Sequence, residues 1–487
     1  MFPIYGPLFF FVWVFCGIIA PSFVPLSEWK APGIAKCAAT CVMMVAGPVV
    51  PVMVFVIKNI KRLINYRKEE ELRKEQQRIN DILLENSSGM FLTEGGDAEA
   101  GAINMVKKLI LQGVERGASD IFVDPLQSGA CTVRMRIDGS LRQVCELEPS
   151  MAKSVESAVK VIAGMDITER RRPQDGAFSA KIDGELISFR VASVGAYSGE
   201  KISLRILGSA SGPRGLSDLG LSPEDQDIIE KAIKLPSGMV LMCGPTGSGK
   251  TSTLYAMLKS IDYSIKNVIS IEDPIENIMP QISQMEVNTK ADITFGALLR
   301  NALRQNPDII CLGEIRDEET AEIAVQAAQT GHLIIATVHS NDNLGTVDRL
   351  QNLGIPLRTI AGTLHVIISQ RLIRTLCPAC KKRRALTPEL QDYFVRANLP
   401  TDNVFAAAGC PQCDGTGYAG RRAIFDIMVV NHQLRELLED EATTLATVQA
   451  YIEREHGSSV MAYKGYRLAA EGITSLDEVN RIALNLG

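Results

Sequence analysis

Met239-Val240-Leu241-Met242-Cys243-Gly244-Pro245-Thr246-Gly247-Ser248-Gly249-Lys250-Thr251-Ser252 is the stretch on which the fold turns. The apolar run over 239–243 has the character of a buried strand, residues 244–251 fit the spacing G-x-x-x-x-G-K-[ST], and a helical pattern starts at Ser252. Strand, glycine loop and helix thus stand in the order a phosphate cradle requires. Glycines let backbone N–H groups close around phosphate oxygens, and the helix N-terminus adds a favourable dipole. Lys250 is placed to reach the β- and γ-phosphates and Thr251 to offer its hydroxyl to Mg²⁺. The segment Gly244, Pro245, Thr246, Gly247, Ser248, Gly249, Lys250, Thr251 and Ser252 is therefore the expected nucleotide site, with ATP and Mg as its ligands.

Working outward, apolar strands alternate with helices over 221–376, the pattern of a parallel sheet covered on both faces. Asp308-Ile309-Ile310-Cys311-Leu312-Gly313-Glu314 is an apolar strand that ends in a carboxylate, suited to holding Mg²⁺ or polarising water. Ile271-Glu272-Asp273-Pro274-Ile275-Glu276 places three acids just after another strand. His332 and His339 flank the strand over 333–336, a spacing that by itself gives neither a role.

The residues before this core divide into four stretches. Residues 208–220, rich in Gly, Ser and Pro, read as a hinge. Residues 101–207 read as a small α/β domain, with a helix over 102–112 and strands over 120–123, 131–137, 186–192 and 201–207. Asp138-Gly139 and Asp183-Gly184 are its expected hairpin turns. Residues 58–100 hold a charged helix, running to about Glu85, and then a linker. Residues 1–57 carry no charge from Met1 to Ser27 and none from Cys37 to Ile57. Twenty-one residues at about 1.5 Å each cover about the 30 Å of a bilayer core, so two transmembrane helices are expected, the second kinked by Pro48 and Pro51. A cleaved signal peptide is the competing reading of the first. Lys58, Lys61, Arg62, Arg67 and Lys68 follow the second and place the rest of the chain in the cytoplasm.

Of 11 cysteines, seven stand singly and four form two Cys-x-x-Cys pairs, which speaks for a reducing compartment. Cys377, Cys380, Cys410 and Cys413, within 377–425, offer four thiolates for tetrahedral Zn²⁺, and Asp414-Gly415-Thr416-Gly417 supplies the tight backbone of a knuckle. Redox-active pairs are the alternative, without a thioredoxin-like βαβ setting to support them. Residues 426–487 read as helical. A net charge of -5 and a pI near 5.8 give no general attraction for phosphate backbones, so no direct nucleic-acid partner is expected.

GPTGSGKTS, SIEDPIE, GEIRDEET and TGHLIIATVHSND, in that order, resemble the Walker A, aspartate, Walker B and histidine boxes of the type II secretion and type IV pilus assembly ATPases. ASDIFVDP, RMRIDGSLR, RRRPQDGAF, GEKISLRIL and QRLIRTLCPAC extend the resemblance over roughly residues 101–430. It implies a RecA-like P-loop ATPase core after a small α/β, PAS-like domain, a zinc-binding insertion, a helical C-terminal region and assembly into a homo-hexamer. It implies Glu276 as general base, Glu314 as the Walker B acid and His339 near the γ-phosphate. Arg190 and Arg205 match arginines that the preceding domain brings to the nucleotide. The zinc motif favours assembly or secretion over retraction. The expected function is a hexameric ATPase motor for a pilus or pseudopilus, anchored at the inner membrane beside a platform protein, its ATPase domains cytoplasmic. Family members usually begin with a soluble docking domain, whereas this chain begins with a hydrophobic hairpin. A conjugation or DNA-uptake ATPase of the same superfamily is an alternative, as is a nucleotide-binding membrane scaffold without turnover.

Overall fold

A computed structural model describes residues 49–86, 97–207, 215–456 and 460–483. The chain divides between Ile82 and Leu83 into two compact units. In the first, α1 (Val49–Asp81) is one uninterrupted helix of 33 residues. It joins the end of the second apolar stretch to the charged segment. Pro51 stands in its first turn, where a missing N–H leaves no intrahelical bond unmade. The helix ends at Asp81, short of Glu85, because Leu83–Asn86 is recruited as a strand. Among the described residues no helix is long and apolar enough to cross a membrane. The first expected span, Pro48 and the start of the second span lie outside the described residues.

The second unit begins with an antiparallel layer. β1 (Leu83–Asn86), α2 (Asp97–Glu115), β2 (Ala118–Pro125), β3 (Cys131–Ile137), β4 (Ser140–Leu147), α3 (Pro149–Ile162), β5 (Gln174–Ile182), β6 (Glu185–Ala196) and β7 (Gly199–Leu207) follow in sequence. The seven strands form one sheet in the order β1-β5-β6-β7-β2-β3-β4, with every neighbouring pair antiparallel. β3 alternates strictly, with Cys131, Val133, Met135 and Ile137 buried and the residues between them facing out. Asp138 and Gly139 have φ of 49° and 78°, and Asp183 and Gly184 have 50° and 90°. Positive φ at both central residues is the hairpin geometry that Asp-Gly sequences favour.

The parallel layer comprises α4 (Pro223–Ala232), β8 (Gly238–Cys243), α5 (Lys250–Lys259), β9 (Val268–Glu272), β10 (Ser283–Glu286), α6 (Phe295–Ala302), β11 (Ile309–Leu312), α7 (Glu318–Gln329), β12 (Leu333–Val338), α8 (Asn343–Asn352), α9 (Leu357–Thr363) and β13 (Leu364–Leu376). Strand order is β10-β9-β11-β12-β8-β13-β16, where β16 (Tyr418–Val429) is the single antiparallel member. Every residue of β8, β11 and β12 is buried, because helices cover both faces. Short polar side chains start the helices: Asp317 accepts from Thr320 N at 2.9 Å and Asp342 from Gly345 N at 2.7 Å.

β14 (Lys382–Arg383), α10 (Pro388–Arg396) and β15 (Phe405–Ala406) form the excursion between β13 and β16. Four helices follow among the described residues: α11 (His432–Glu439), α12 (Leu445–His456), α13 (Val460–Ala470) and α14 (Leu476–Ala483). Leu434, Leu438 and Val448 extend one of the two large cores of the parallel layer. Met461, Leu468, Val479 and Ile482 build a separate core with Ile373 and Ile424.

Candidate functional site

Gly244–Thr251, the acids after β9, Glu314 after β11 and His339 after β12 all lie beyond the C-terminal ends of parallel strands, where open α/β sheets place ligands. In the loop after β8, Gly244, Gly247 and Gly249 have φ of 140°, 78° and 91°. A Cβ on Gly244 would stand 2.4 Å from Gln370 O, and one on Gly249 would stand 2.8 Å from Gln370 Nε2. At Gly247 a Cβ would meet nothing within 4 Å, so the loop opens to free space there. Lys250 Nζ donates to Gly244 O at 2.7 Å and Pro245 O at 3.3 Å, and burial pushes its ammonium below the usual lysine range. Ser248 Oγ is buried with no hydrogen-bond partner among the described residues. A cradle closed to side chains, a desolvated ammonium and an orphaned hydroxyl are a set that fits a phosphate chain. Thr251 and Ser252 sit in the first turn of α5.

The surroundings sort the three acids at the end of β9 and just after it. Glu272, 4% exposed, accepts from Ser270 Oγ at 2.7 Å, from Gln284 Nε2 at 3.1 Å and from the Tyr255 hydroxyl. Three donors thus engage both of its oxygens. Asp273 pairs with Arg316 at 3.3 Å. Glu276 makes no hydrogen bond or ion pair among the described residues. Burial first, and then the charge of Glu272, pushes its carboxyl above the usual range, while Arg205 and Arg190 pull it back.

Those two arginines are direct cross-strand neighbours, Arg190 on β6 opposite Arg205 on β7. The register continues to Asp120 on β2 and Arg136 on β3. Arg205 pairs with Asp120 at 3.1 Å, whereas Arg190 has no partner among the described residues. Like charges directly opposite each other destabilise a sheet, and an anion beside them removes that cost. The charge of both arginines is felt at the unpaired Glu276 of the same chain, whose carboxyl they pull down against burial.

Glu314 pairs with Arg316, and His339 Nε2 lies 3.0 Å from Glu314 Oε2, a buried atom that makes no hydrogen bond among the described residues. Arg316 ties Glu314 to Asp273 and joins the site with no signal of its own in sequence, except that it stands inside GEIRDEET. Gln370, whose Oε1 accepts from Thr253 Oγ1 at 2.8 Å, supports the glycine loop from β13 and was equally hidden. His332 lies at the other end of β12, its Nδ1 3.0 Å from Ala327 O, outside the site.

A second cluster forms where β13 ends and β16 begins, since Leu376 pairs with Tyr418. Cys377 follows the first and Cys413 precedes the second, which brings together cysteines remote in sequence. The four sulfurs lie within 4.8 Å of one another, with 3.9 Å between Cys377 and Cys410, 3.8 Å between Cys380 and Cys413 and 3.7 Å between Cys410 and Cys413. Tetrahedral ligation at Zn–S of about 2.3 Å sets sulfurs about 3.8 Å apart, while a disulfide needs about 2.05 Å. The residues fit a four-coordinate metal ion. Against the burial that raises it, N–H groups of Cys410 and Gly417 bring the Cys413 thiol down to about 6, favouring the thiolate.

Residues 96–481 match the family model described as type II/IV secretion system protein. The type II secretion system ATPase E of Vibrio cholerae serotype O1 is 38% identical over 384 residues, covering 79% of this chain and 76% of that protein. The type IV pilus assembly ATPase PilB of Pseudomonas aeruginosa is 38% identical over 414 residues, 83% of this chain and 72% of the relative. Among solved structures, the pilus retraction motor PilT with bound ADP superposes with a TM-score of 0.53 at 26% identity, covering 77% of this chain and 96% of that one. With its glycine cradle, its acids at the strand ends and this breadth of similarity, the chain belongs to the type II/IV secretion system protein family.

Proposed function

We propose that this chain is the ATP-hydrolysing motor that drives assembly of a type IV pilus or of a type II secretion pseudopilus. The observation that carries the reading is the sorting of the acids: Glu272 and Asp273 are occupied, while Glu276, in the loop after β9, is unpaired among the described residues and feels the charge of Arg205 and Arg190. A protein that only bound nucleotide would need no such carboxylate. In this reading Lys250 and the N–H groups of 244–252 hold the phosphates. Glu276 orients and deprotonates water. Arg190 and Arg205 neutralise charge developing on the γ-phosphate. Thr251, with Glu314 steadied by His339 and Arg316, holds Mg²⁺, which when bound offsets phosphate charge.

Residues 221–376 then form a RecA-like core, 101–207 a PAS-like domain, 208–220 the hinge, 377–425 the zinc subdomain and 426–487 the helical end. Cys377, Cys380, Cys410 and Cys413 bind one structural Zn²⁺. Six copies form the working ring. Residues 1–57 anchor it as a hairpin at the inner membrane beside a platform protein, and 58–100 connect anchor to motor in the cytoplasm. The uncharged stretches over 1–27 and 37–57 and the basic residues after them support the anchor. Steady-state phosphate release by the purified full-length protein with Mg-ATP is the test. Turnover lost in Lys250→Ala and Glu276→Gln is the expected result. Tight ATP binding with negligible wild-type turnover makes the chain a scaffold instead.

A further inference from the structure

The antiparallel layer touches the rest of its unit at a place no nucleotide motif explains. Asp138, at the β3–β4 turn, accepts from Gly420 N at 3.0 Å and lies 3.5 Å from Arg421 Nε. Ser140 Oγ accepts from Arg374 Nη1 at 3.4 Å. Arg142, its side chain only 14% exposed, donates from Nη1 to Asp414 at 3.0 Å and from Nη2 to Thr416 at 3.4 Å. Arg116, at the end of α2, is 3.8 Å from the same Asp414 carboxylate. One hairpin therefore grips the knuckle that follows Cys413 and the first residues of β16.

The receiving side is rigidly built. Asp414 has φ of 49°, in the left-handed region that Asp tolerates, and it caps the short turn Pro411–Cys413. Cys413 Sγ takes N–H groups from both sides of it, Cys410 at 3.2 Å and Gly417 at 3.1 Å. The knuckle thus decides where the Asp414 carboxylate stands. On the giving side, Arg136 is two residues from Asp138, and the register row from Arg136 runs through Asp120 and Arg205 to Arg190. Three strand spacings of about 4.8 Å separate the two ends of that row, so a tilt at the turn reaches the arginines within about 15 Å of continuous sheet.

We propose that the β3–β4 turn and the cysteine knuckle form an intrachain latch that sets how Arg190 and Arg205 face Glu276. Asp138, Arg142 and Asp414 are its positioning residues and none of them touches nucleotide. Closed, the latch holds the arginines near Glu276. Released, it lets the antiparallel layer move and withdraws them, so the knuckle acts on turnover from outside the nucleotide site. The inference rests on the reading that Arg190 and Arg205 act on bound nucleotide.

The test uses full-length protein carrying labelled noncanonical residues at Glu185, on the antiparallel layer, and at Glu439, the last residue of α11, for a distance distribution. Arg142→Ala, Asp414→Gly and Asp138→Gly break the latch, the two glycines keeping the positive φ. Each should shift or broaden the 185–439 distance and lower kcat about three- to tenfold with KM within about twofold, the scale of coupling between groups in contact. Arg142→Ala combined with Asp414→Gly should cost no more than either alone, and Arg142→Lys should restore part of both readouts. Unchanged distances in all three single variants overturn the latch. Changed distances with unchanged kcat establish the latch and refute the role given to the arginines.

Discussion

At the scale of residues, the site depends on which carboxylate is left over. Glu276→Gln keeps size and removes the charge, so ATP affinity should stay within a few-fold while kcat falls by roughly 10²-fold or more. Isothermal titration and single-turnover hydrolysis separate the two, and near-normal turnover moves the base to Glu314 or Glu272. Lys250→Ala should lose affinity and turnover together, since in the proposed role its ammonium would meet phosphate in ground and transition states alike. A base works deprotonated, and burial holds the Glu276 carboxyl above its usual range. Activity should therefore fall as pH drops through that raised value. Arg205→Ala removes a charge that pulls the carboxyl down, so the acid limb of kcat/KM should move to higher pH. A limb that stays in place in this variant belongs to another group.

At the scale of elements, α14 is fastened to β13 by one buried acid. Glu478 accepts from Arg374 Nε at 3.0 Å and Nη2 at 2.6 Å and from Arg481 Nη2 at 2.7 Å. Although burial opposes it, the two guanidinium groups hold its carboxyl down to about 2. Its folded-state value lies below the ordinary 4.5, so its contribution is full above pH 4.5 and is lost as pH falls toward 2. Glu478→Gln should cost about 2 kcal/mol at neutral pH, seen as a lower urea midpoint, and the difference should shrink across that acid window. A constant difference down to pH 2 removes the ion pairs as its cause. The same scale shows why some elements were illegible. β8 and β11 declare themselves as apolar runs bounded by glycine or acid, and β12 as an apolar run flanked by histidines. β5, with Gly176, Ala177 and Ser179 along it, carries too little apolar contrast, and a short Leu83–Asn86 reads as the end of a charged helix until β5 is there to pair with it.

At the scale of the whole molecule, metal content and anchoring are the measurable properties. Elemental analysis should find one zinc per chain, lost in Cys377→Ser combined with Cys410→Ser. Less than about half an equivalent in wild type refutes a zinc knuckle, since structural sites of this type hold their metal tightly. Full-length protein should resist carbonate extraction, and its release would remove the hairpin reading. A fragment starting at Leu83, which keeps β1 on its sheet, should stay in solution and hydrolyse ATP. If the arginines serve a neighbouring subunit, mixing Arg190→Ala with Glu276→Gln chains restores some turnover. If they serve Glu276 of their own chain, mixing restores none.

What the sequence determined by itself was every feature carried by contiguous residues. The glycine cradle, the acid ending a buried strand, the Asp-Gly hairpins and the paired cysteines need only local backbone geometry and spacing to be read. Resemblance then named the candidate acids and arginines one by one. Tertiary structure alone decided how those residues are apportioned, because hydrogen-bond donors are spent in space and not along the chain. Tyr255, Ser270 and Gln284 occupy Glu272, Arg316 occupies Asp273, and the remaining carboxylate is left unpaired within the charge of two arginines from another layer. Likewise the contact of Arg142 with Asp414 joins residues 272 positions apart, which no local pattern encodes.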